Sequence, residues 1–211
     1  KITAHIARDD VKAIPGIKNI IGVASGKGGV GKSTTTVNLA LALVSAGAAV
    51  GILDADVYGP NQPHLLGVSG KPQMTDDGKL LPPRQYGLES MSMGYLVADE
   101  APMVWRGPMI SSALDQLLHK TQWSALDYLL VDLPPGTGDI PLTLSKKTPL
   151  SAVVMVTTPQ DVALLDVRKA IAMFDKMSIP ILGVIENMSG YLCQHCGHEE
   201  AIFGQDGGER I

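Results

Sequence analysis

A glycine-rich segment near the start of the chain has the residue types and the spacing needed to bind phosphate groups. Residues 26–33, GKGGVGKS, match the pattern G-x-x-x-x-G-K-S/T and lie between an apolar run and a segment of helical character. The glycines allow backbone N–H groups to turn toward phosphate oxygens, and the positive end of the following helix strengthens that field. Lys32 is predicted to reach the β- and γ-phosphates of ATP, and the Ser33 hydroxyl is predicted to bind Mg²⁺. The residues predicted to bind the nucleotide are Gly26, Lys27, Gly28, Gly29, Val30, Gly31, Lys32, Ser33 and Thr34.

Acidic residues follow two other apolar runs. Asp54 and Asp56 come directly after residues 49–53, and Asp132 lies at the end of the run 128–133. The carboxyl ends of parallel strands meet at one edge of a sheet, where ligands bind, so we expect these acids beside the phosphate loop. We assign Asp54 and Asp132 to the magnesium shell, and Asp56 to orienting or activating the attacking water. The pattern therefore predicts a magnesium-dependent ATPase.

The segment after Asp132 reads PPGTGD and has the composition of a switch, in which glycines respond to the γ-phosphate. From its position, Gly136 is predicted to offer a backbone N–H to that phosphate.

The two cysteines of the chain, Cys193 and Cys196, form a C-x-x-C motif, which in a cytosolic protein indicates metal or redox chemistry. A thioredoxin-like motif would open a helix after the first strand of its fold, whereas this motif lies late in the chain. A zinc site needs four ligands, of which the motif supplies two, with His195 and His198 as cramped additions. A site shared by two subunits would gather four thiolates, which suits a [4Fe–4S] cluster or zinc.

The alternation of apolar runs with helical segments predicts an α/β fold with a doubly wound, mostly parallel sheet and helices on both faces. Residues 67–96 are rich in Gly, Pro and Met, and we expect them to lie beside the sheet. A lead-in segment is predicted at 1–16 and the ATPase domain at 17–211. The predicted strands are 19–24, 49–53, 128–133, 152–157 and 181–185, and the predicted helices include 32–45, 108–119 and 162–177.

Composition argues against several partners. The net charge is −4, and the sequence has no stripe of basic residues, so a nucleic-acid partner is not expected. No apolar run reaches the roughly 20 residues that span a bilayer, so no membrane partner is expected. The first ten residues contain no apolar core of a signal peptide, which predicts a cytoplasmic location. Because the chain begins with Lys and stops after a Gly-rich stretch, we expect it to be a fragment of a longer protein.

From about Gly16 onward, the order and spacing of the motifs resemble the Mrp/ApbC family of iron–sulfur carrier ATPases, relatives of the MinD and ParA proteins. The motifs that carry this resemblance are KGGVGKST, DADVYGPN, MVWRGPM at 103–109, DLPPGTGD, TTPQDVAL at 157–164 and ENMSGYLCQHCGH.

The resemblance implies a homodimer that holds a labile [4Fe–4S] cluster on Cys193 and Cys196 of both subunits. Such a protein would work with cluster-assembly scaffolds and pass the cluster to apo iron–sulfur proteins, with slow ATP hydrolysis. The second loop lysine, Lys27, matches the deviant Walker A pattern, in which it reaches the partner's nucleotide and serves catalysis. Asn187 matches the residue that reads the adenine edge, although a plain helix cap is an alternative. Family members also continue beyond Arg210 with further strands and a helix.

Two other functions stay open at this point. A MinD- or ParA-like spatial organiser needs an amphipathic basic terminal helix or a basic surface, and the given sequence has neither. The other is a zinc-bridged structural dimer with weak ATPase activity.

Overall fold

The structure is a computed structural model that describes residues 2–5, 11–96 and 107–211. The motif at 103–109 therefore lies largely outside the described residues. The helices are α1 (Lys32–Ser45), α2 (Gln62–Leu66), α3 (Gly107–Lys120), α4 (Asp139–Lys147) and α5 (Asp161–Lys176). The strands are β1 (Ile17–Ser25), β2 (Val50–Asp54), β3 (Gln73–Met74), β4 (Leu80–Leu81), β5 (Arg84–Gln85), β6 (Leu88–Ser92), β7 (Leu126–Asp132), β8 (Ala152–Thr157), β9 (Ile181–Glu186), β10 (Tyr191–Leu192) and β11 (Glu199–Glu200).

A seven-stranded sheet in the order β5-β6-β2-β7-β1-β8-β9 forms the centre of the fold. Every neighbouring pair is parallel except β5 and β6. The five predicted strands all belong to this sheet, with ends that differ by one or two residues. The prediction of a mostly parallel α/β sheet is confirmed.

Helices cover both faces of the sheet, as predicted. On one face, Val37 and Ala40 of α1 and Leu66 of α2 pack with residues of the central strands. On the other face, apolar residues of α3, α4 and α5, such as Leu117 and Phe174, form a larger core cluster. Burial of strands on both sides explains why they read as continuous apolar runs in the sequence.

The expectation that residues 67–96 lie beside the sheet was partly wrong. Strands β3 and β4 do form a separate hairpin, but β5 and β6 extend the main sheet. The sequence of β6, LESMS, is fully buried although it is largely polar. Its polar groups have internal partners, among them Glu89, which accepts from the Ser124 N–H at 3.0 Å. The sequence did not predict β6, because its polar residues interrupt the apolar run that is typical of a buried strand.

The ends of the strands fix the position of the functional groups. Asp54 at the end of β2 pairs with Asp132 at the end of β7, and Val23 of β1 pairs with Asp132 on its other side. The phosphate loop follows β1 and leads into α1, which begins directly after Gly31. The sheet therefore brings the loop and the acids to one edge.

None of the helices in the part of the chain that the structure describes is both long and apolar enough to cross a membrane.

Replacing Leu88 tests whether β6 belongs to the packed core. Leu88 is 1% exposed, and Leu88→Ala is expected to lower the free energy of unfolding by about 2–5 kcal/mol. Leu182 on β9 is 64% exposed, so Leu182→Ala should cost less than about 0.5 kcal/mol. Urea unfolding measures both changes, and equally small losses would show that β6 is not packed as described.

Candidate nucleotide site and cysteine hairpin

A pocket of about 390 Å³ opens above the carboxyl edge of the sheet, at the phosphate loop. Asp56 forms part of its wall after β2, Pro135 after β7 and Met188 after β9. The loop contributes Ser25, Gly28, Gly29, Gly31, Lys32, Ser33 and Thr34, and the segment around α2 contributes Asn61, His64 and Leu65. Six of the nine predicted loop residues thus line a cavity of the size that ligand sites have, whereas Gly26, Lys27 and Val30 do not line it.

Two glycines shape the loop for physical reasons. Gly31 has φ 84°, and a Cβ atom there would lie 2.3 Å from Nδ2 of Asn187. A Cβ atom on Gly26 would lie 2.3 Å from the backbone carbon of Asp166 in α5. A larger residue at Gly26 would displace the backbone of α5, and one at Gly31 would displace the Asn187 side chain and strain its own backbone. The loop therefore lies between α5 and the segment after β9.

Lys32 is buried in the site, and its ammonium group contacts two carboxylates. Its Nζ lies 2.7 Å from Oδ1 of Asp132 and 3.4 Å from Oδ2 of Asp56. Both acids and the lysine are buried, so the charges are screened little by solvent. The structure thus brings together Lys32, Asp56 and Asp132, three of the five charged residues that the sequence assigned to this site.

Asp132 has partners on both carboxylate oxygens. Oδ1 accepts from Lys32 and from the hydroxyl of Thr36 at 3.2 Å. Oδ2 accepts from Nε2 of Gln62 at 2.8 Å. Thr36 and Gln62 were missed in the sequence, because nothing in their local pattern marks a polar residue that will be buried.

Asp54 is fully buried and does not line the pocket. Its Oδ1 accepts from the N–H of Asp56, and its Oδ2 accepts from the N–H of Gln62 and the hydroxyl of Ser92. Burial, and secondarily the charge of Asp132, raises the pKa of Asp54 to about 7. Asp54 thus fixes the backbone at Asp56 and Gln62 by accepting hydrogen bonds from their N–H groups. Its place in a magnesium shell remains a prediction.

Asp56 lies in the pocket wall, and its Oδ1 is buried without a hydrogen-bond partner among the described residues. Burial raises the pKa of Asp56, an effect that Lys32 partly offsets and Asp132 reinforces. Carboxylate and hydroxyl oxygens are the ligands that Mg²⁺ takes in nucleotide sites. The donor types of Asp56, Asp132 and Ser33 suit magnesium, and of these residues Ser33 and Asp56 line the pocket, whereas Asp132 lies behind its wall.

Asn187 contacts the phosphate loop directly. Its Nδ2 donates to the Val30 carbonyl at 2.9 Å, and its backbone N–H donates to Thr157 at 2.8 Å. The residue lies between β9 and β10 and not at the start of a described helix. Its predicted contact with adenine remains a prediction, but its link to the loop is part of the structure.

Gly136 and Lys27 are arranged differently from the groups around Lys32. The N–H of Gly136 donates to the Ser25 carbonyl at 2.9 Å, so it would have to leave this partner to reach a phosphate. Lys27 is half-buried and is not among the residues that line the pocket. The roles predicted for both residues remain predictions.

The C-x-x-C motif forms the turn of a small hairpin between β10 and β11. The Cys193 N–H donates to the His198 carbonyl at 2.8 Å, and the Gly197 N–H donates to the Cys193 carbonyl at 2.8 Å. Backbone N–H groups of Cys196 and His195, followed by the Cys196 thiol, lower the pKa of Cys193. Both cysteines are free thiols, with Cys196 exposed. The hairpin therefore holds a partly exposed thiol, Cys193, whose pKa is lowered, and an exposed thiol, Cys196.

Comparison with known proteins identifies the family. The model of the family described as ParA, NUBPL iron-transfer P-loop NTPase, matches residues 16–211. The chain belongs to this family. The resemblance that the motifs indicated is therefore confirmed.

Curated relatives have names that agree with this assignment. An iron–sulfur cluster carrier protein of Pseudomonas fragi is 54% identical over 212 residues, which cover 100% of this chain and 74% of that protein. The iron–sulfur cluster carrier protein of Escherichia coli K12 is 56% identical over 94% of this chain and 54% of its own length. The iron–sulfur cluster transfer protein NUBPL of Mus musculus is 50% identical over 95% of this chain and 63% of its own. The chain thus spans between about half and three quarters of these relatives.

Solved structures agree with the fold. A nucleotide-binding protein of Archaeoglobus fulgidus in complex with ADP has a TM-score of 0.79 and 39% identity, over 92% of this chain and 76% of that one. The cell division ATPase MinD of Pyrococcus furiosus has a TM-score of 0.59 and 23% identity, over 81% and 72% of the two chains. At that identity the second likeness shows the fold alone.

The raised pKa of Asp54 predicts a pH-dependent stability. The folded state keeps the Asp54 proton to about pH 7, whereas the unfolded state releases it near 3.8. Stability of the nucleotide-free protein in EDTA should therefore fall as the pH rises through this window. In Asp54→Asn the fall should be shallower, and in Asp76→Asn, at an exposed position, it should match the wild type. Urea unfolding at a series of pH values measures the slopes, and equal slopes for all three proteins would contradict the assignment.

Proposed function

We propose that this chain is an ATP-binding and ATP-hydrolysing carrier that holds an iron–sulfur cluster between two subunits and delivers it to apo-proteins. The main support for the proposal is that one segment, residues 187–196, joins the nucleotide site to the cysteines. Asn187 donates to the phosphate loop at Val30, Met188 lines the pocket, and the C-x-x-C turn follows after β10. Any movement of the loop on nucleotide binding therefore acts on the segment that bears the thiols.

The phosphate loop and Lys32 bind the triphosphate in this proposal. Lys32 would exchange its carboxylate partners, Asp132 and Asp56, for phosphate oxygens when nucleotide enters. Ser33 and Asp132 would hold Mg²⁺, with Asp54 acting in the shell or behind it through its bonds to neighbouring backbone. When bound, Mg²⁺ would neutralise negative charge that develops on the phosphate oxygens.

Asp56 is proposed to orient the water that attacks the γ-phosphate. Its Oδ1 is a buried acceptor without a partner among the described residues, and it lies in the pocket wall. A water held there would attack the γ-phosphorus. The bond between that phosphorus and the β–γ bridging oxygen would break, and ADP would leave with this oxygen. Because little covalent chemistry is required of the protein, fixed charges are sufficient for a slow hydrolysis.

Lys27 is proposed to act on the nucleotide of a second copy of the chain. It belongs to the loop yet does not line its own pocket, which is what such a role requires. Homodimerisation and ATP binding would then be coupled, and Gly136 would report the γ-phosphate after leaving Ser25.

The cysteines are proposed to bind the cluster, which is the cargo of the protein. Among the described residues, no group of three or more His, Cys, Asp and Glu side chains is arranged to hold a metal ion. Two copies of Cys193 and Cys196 would supply four thiolates, the number that a [4Fe–4S] cluster uses. The exposed position of Cys196 suits transfer to apo-proteins and receipt from assembly scaffolds. We also propose a cytoplasmic location, and a zinc-bridged structural dimer with weak ATPase activity is the alternative to the cluster carrier.

Replacing Lys32 tests the ATPase. Lys32→Ala is expected to lower the rate of ATP hydrolysis at least about a hundredfold, because the cation at the β- and γ-phosphates is lost. Lys71→Ala removes an exposed lysine and should leave the rate unchanged. A phosphate-release assay measures the rate, and circular dichroism checks that both variants are folded. A folded Lys32→Ala protein with unchanged turnover would exclude the phosphate-loop mechanism.

Replacing either cysteine tests the cluster site. After anaerobic reconstitution with iron and sulfide, the wild type should show a visible absorbance band and about four iron atoms per dimer. Cys193→Ser and Cys196→Ser should each lose the band, whereas Ser189→Ala, close by in sequence, should retain it. Metal analysis of the protein as purified distinguishes zinc. One zinc per dimer with no uptake of iron would refute the carrier and support the zinc-bridged dimer.

A further inference from the structure

The side chain of Gln62 is a polar group buried among the acids of the nucleotide site. It is fully buried and is the first residue of α2. Its Nε2 donates to Oδ2 of Asp132 at 2.8 Å and to the Ser33 carbonyl at 3.1 Å. Both partners are acceptors, so the orientation of the amide is fixed by its surroundings.

Gln62 joins three segments of the chain. In addition to the two side-chain bonds, its backbone N–H donates to Oδ2 of Asp54 at 3.1 Å. The contacts therefore reach the start of α1 at Ser33, the end of β2 at Asp54 and the end of β7 at Asp132. Leu66 at the other end of α2 is 1% exposed and anchors the helix on the core. The packing of α2 on the core therefore holds the Gln62 side-chain amide in place.

The partners of Asp132 differ in what happens to them when nucleotide binds. Lys32 holds Oδ1 in this structure but is required at the phosphates under the proposed function. Thr36 also bonds Oδ1, at 3.2 Å, whereas Gln62 is the partner found on Oδ2 among the described residues. Once Lys32 has left, Gln62 and Thr36 would determine the plane of the carboxylate.

We infer that Gln62 is a positioning residue that keeps the Asp132 carboxylate oriented for magnesium-dependent nucleotide binding after Lys32 has moved to the phosphates. The inference rests on the proposed function of this site. Gln62 is suited to the role because its amide is neutral, so it orients the carboxylate without cancelling the charge that attracts a cation. Its Oε1 is buried without a donor among the described residues and can accept from a water that enters the site.

A purely structural role would have a different consequence from a positioning role. A glutamine that only stabilises the fold would, when replaced, reduce the fraction of folded protein without changing how magnesium affects nucleotide affinity. A positioning residue should change the contribution of magnesium and leave the magnesium-free affinity nearly unchanged. Outer-shell partners of metal ligands typically contribute about 10–100-fold in metal affinity.

The experiment is calorimetric titration of ADP into the dialysed protein, once with saturating Mg²⁺ and once with EDTA. The wild type should bind more tightly with Mg²⁺. Gln62→Leu should lose about 10–100-fold of that affinity in Mg²⁺ while its affinity in EDTA stays within about twofold. Gln116→Leu makes the same chemical change at an exposed position of α3 and should behave as the wild type.

Three outcomes of the titration would overturn the inference. One is a folded Gln62→Leu protein with the full gain from Mg²⁺, and another is an equal loss of affinity with Mg²⁺ and with EDTA. The third is a wild type that binds ADP in EDTA but gains nothing from Mg²⁺. If the wild type binds no ADP under either condition, the proposed function of the site itself fails, which is a distinguishable outcome.

A second measurement on the wild type covers the case in which Gln62→Leu does not fold. The side-chain N–H₂ protons of Gln62, assigned by NMR, should be protected from solvent exchange both in the free protein and in the presence of Mg²⁺ and ADP. Free exchange in the presence of Mg²⁺ and ADP would mean that Gln62 has released Asp132, and the inference would be wrong.

Discussion

The buried contact between Lys32 and Asp132 is the interaction on which the rest of the site depends. The two groups lie 2.7 Å apart, one at the start of α1 and the other at the end of β7. Removing either partner would leave an uncompensated charge in a poorly solvated position, which is costly. The parallel pairing of β1 with β7 and of β7 with β2 is what brings the loop, Asp132 and Asp54 to the same edge.

The charge balance of the site follows from this arrangement. Two carboxyl groups, those of Asp56 and Asp132, contact the buried Lys32 ammonium group, and a third, that of Asp54, lies beside Asp132 at the ends of the paired strands β2 and β7. Burial raises the pKa of Asp54 to about 7, so this carboxyl lowers the excess negative charge by holding a proton below that pH. Asp56 and Asp132 remain beside Lys32. Under the proposed function Lys32 moves to the phosphates, and an entering Mg²⁺ would then replace its charge beside these two carboxylates, which links magnesium, phosphate and the lysine.

The covalent chain links the cysteine hairpin to this site. Strand β9 delivers Asn187 to the Val30 carbonyl, and a short segment then leads to Cys193. Gly31 leaves no room for a side chain because the Asn187 amide fills that space. Asn187 therefore contacts the phosphate loop and also begins the segment that leads to the cysteine hairpin. A displacement of the phosphate loop would therefore move Asn187 and the segment that leads to the hairpin.

Sequence pattern alone was enough to predict the phosphate loop, the parallel strands and the C-x-x-C motif. These features depend on local pattern: glycine spacing, apolar runs covered on both faces, and the C-x-x-C interval. Four other features became visible only in the folded chain: β6 belongs to the sheet, Gln62 and Thr36 hold Asp132, Asp54 lies behind the pocket wall, and the Gly136 N–H donates to Ser25. Each of these depends on a polar group whose partner is distant in the sequence, so no local pattern could reveal whether the group faces solvent or a buried neighbour.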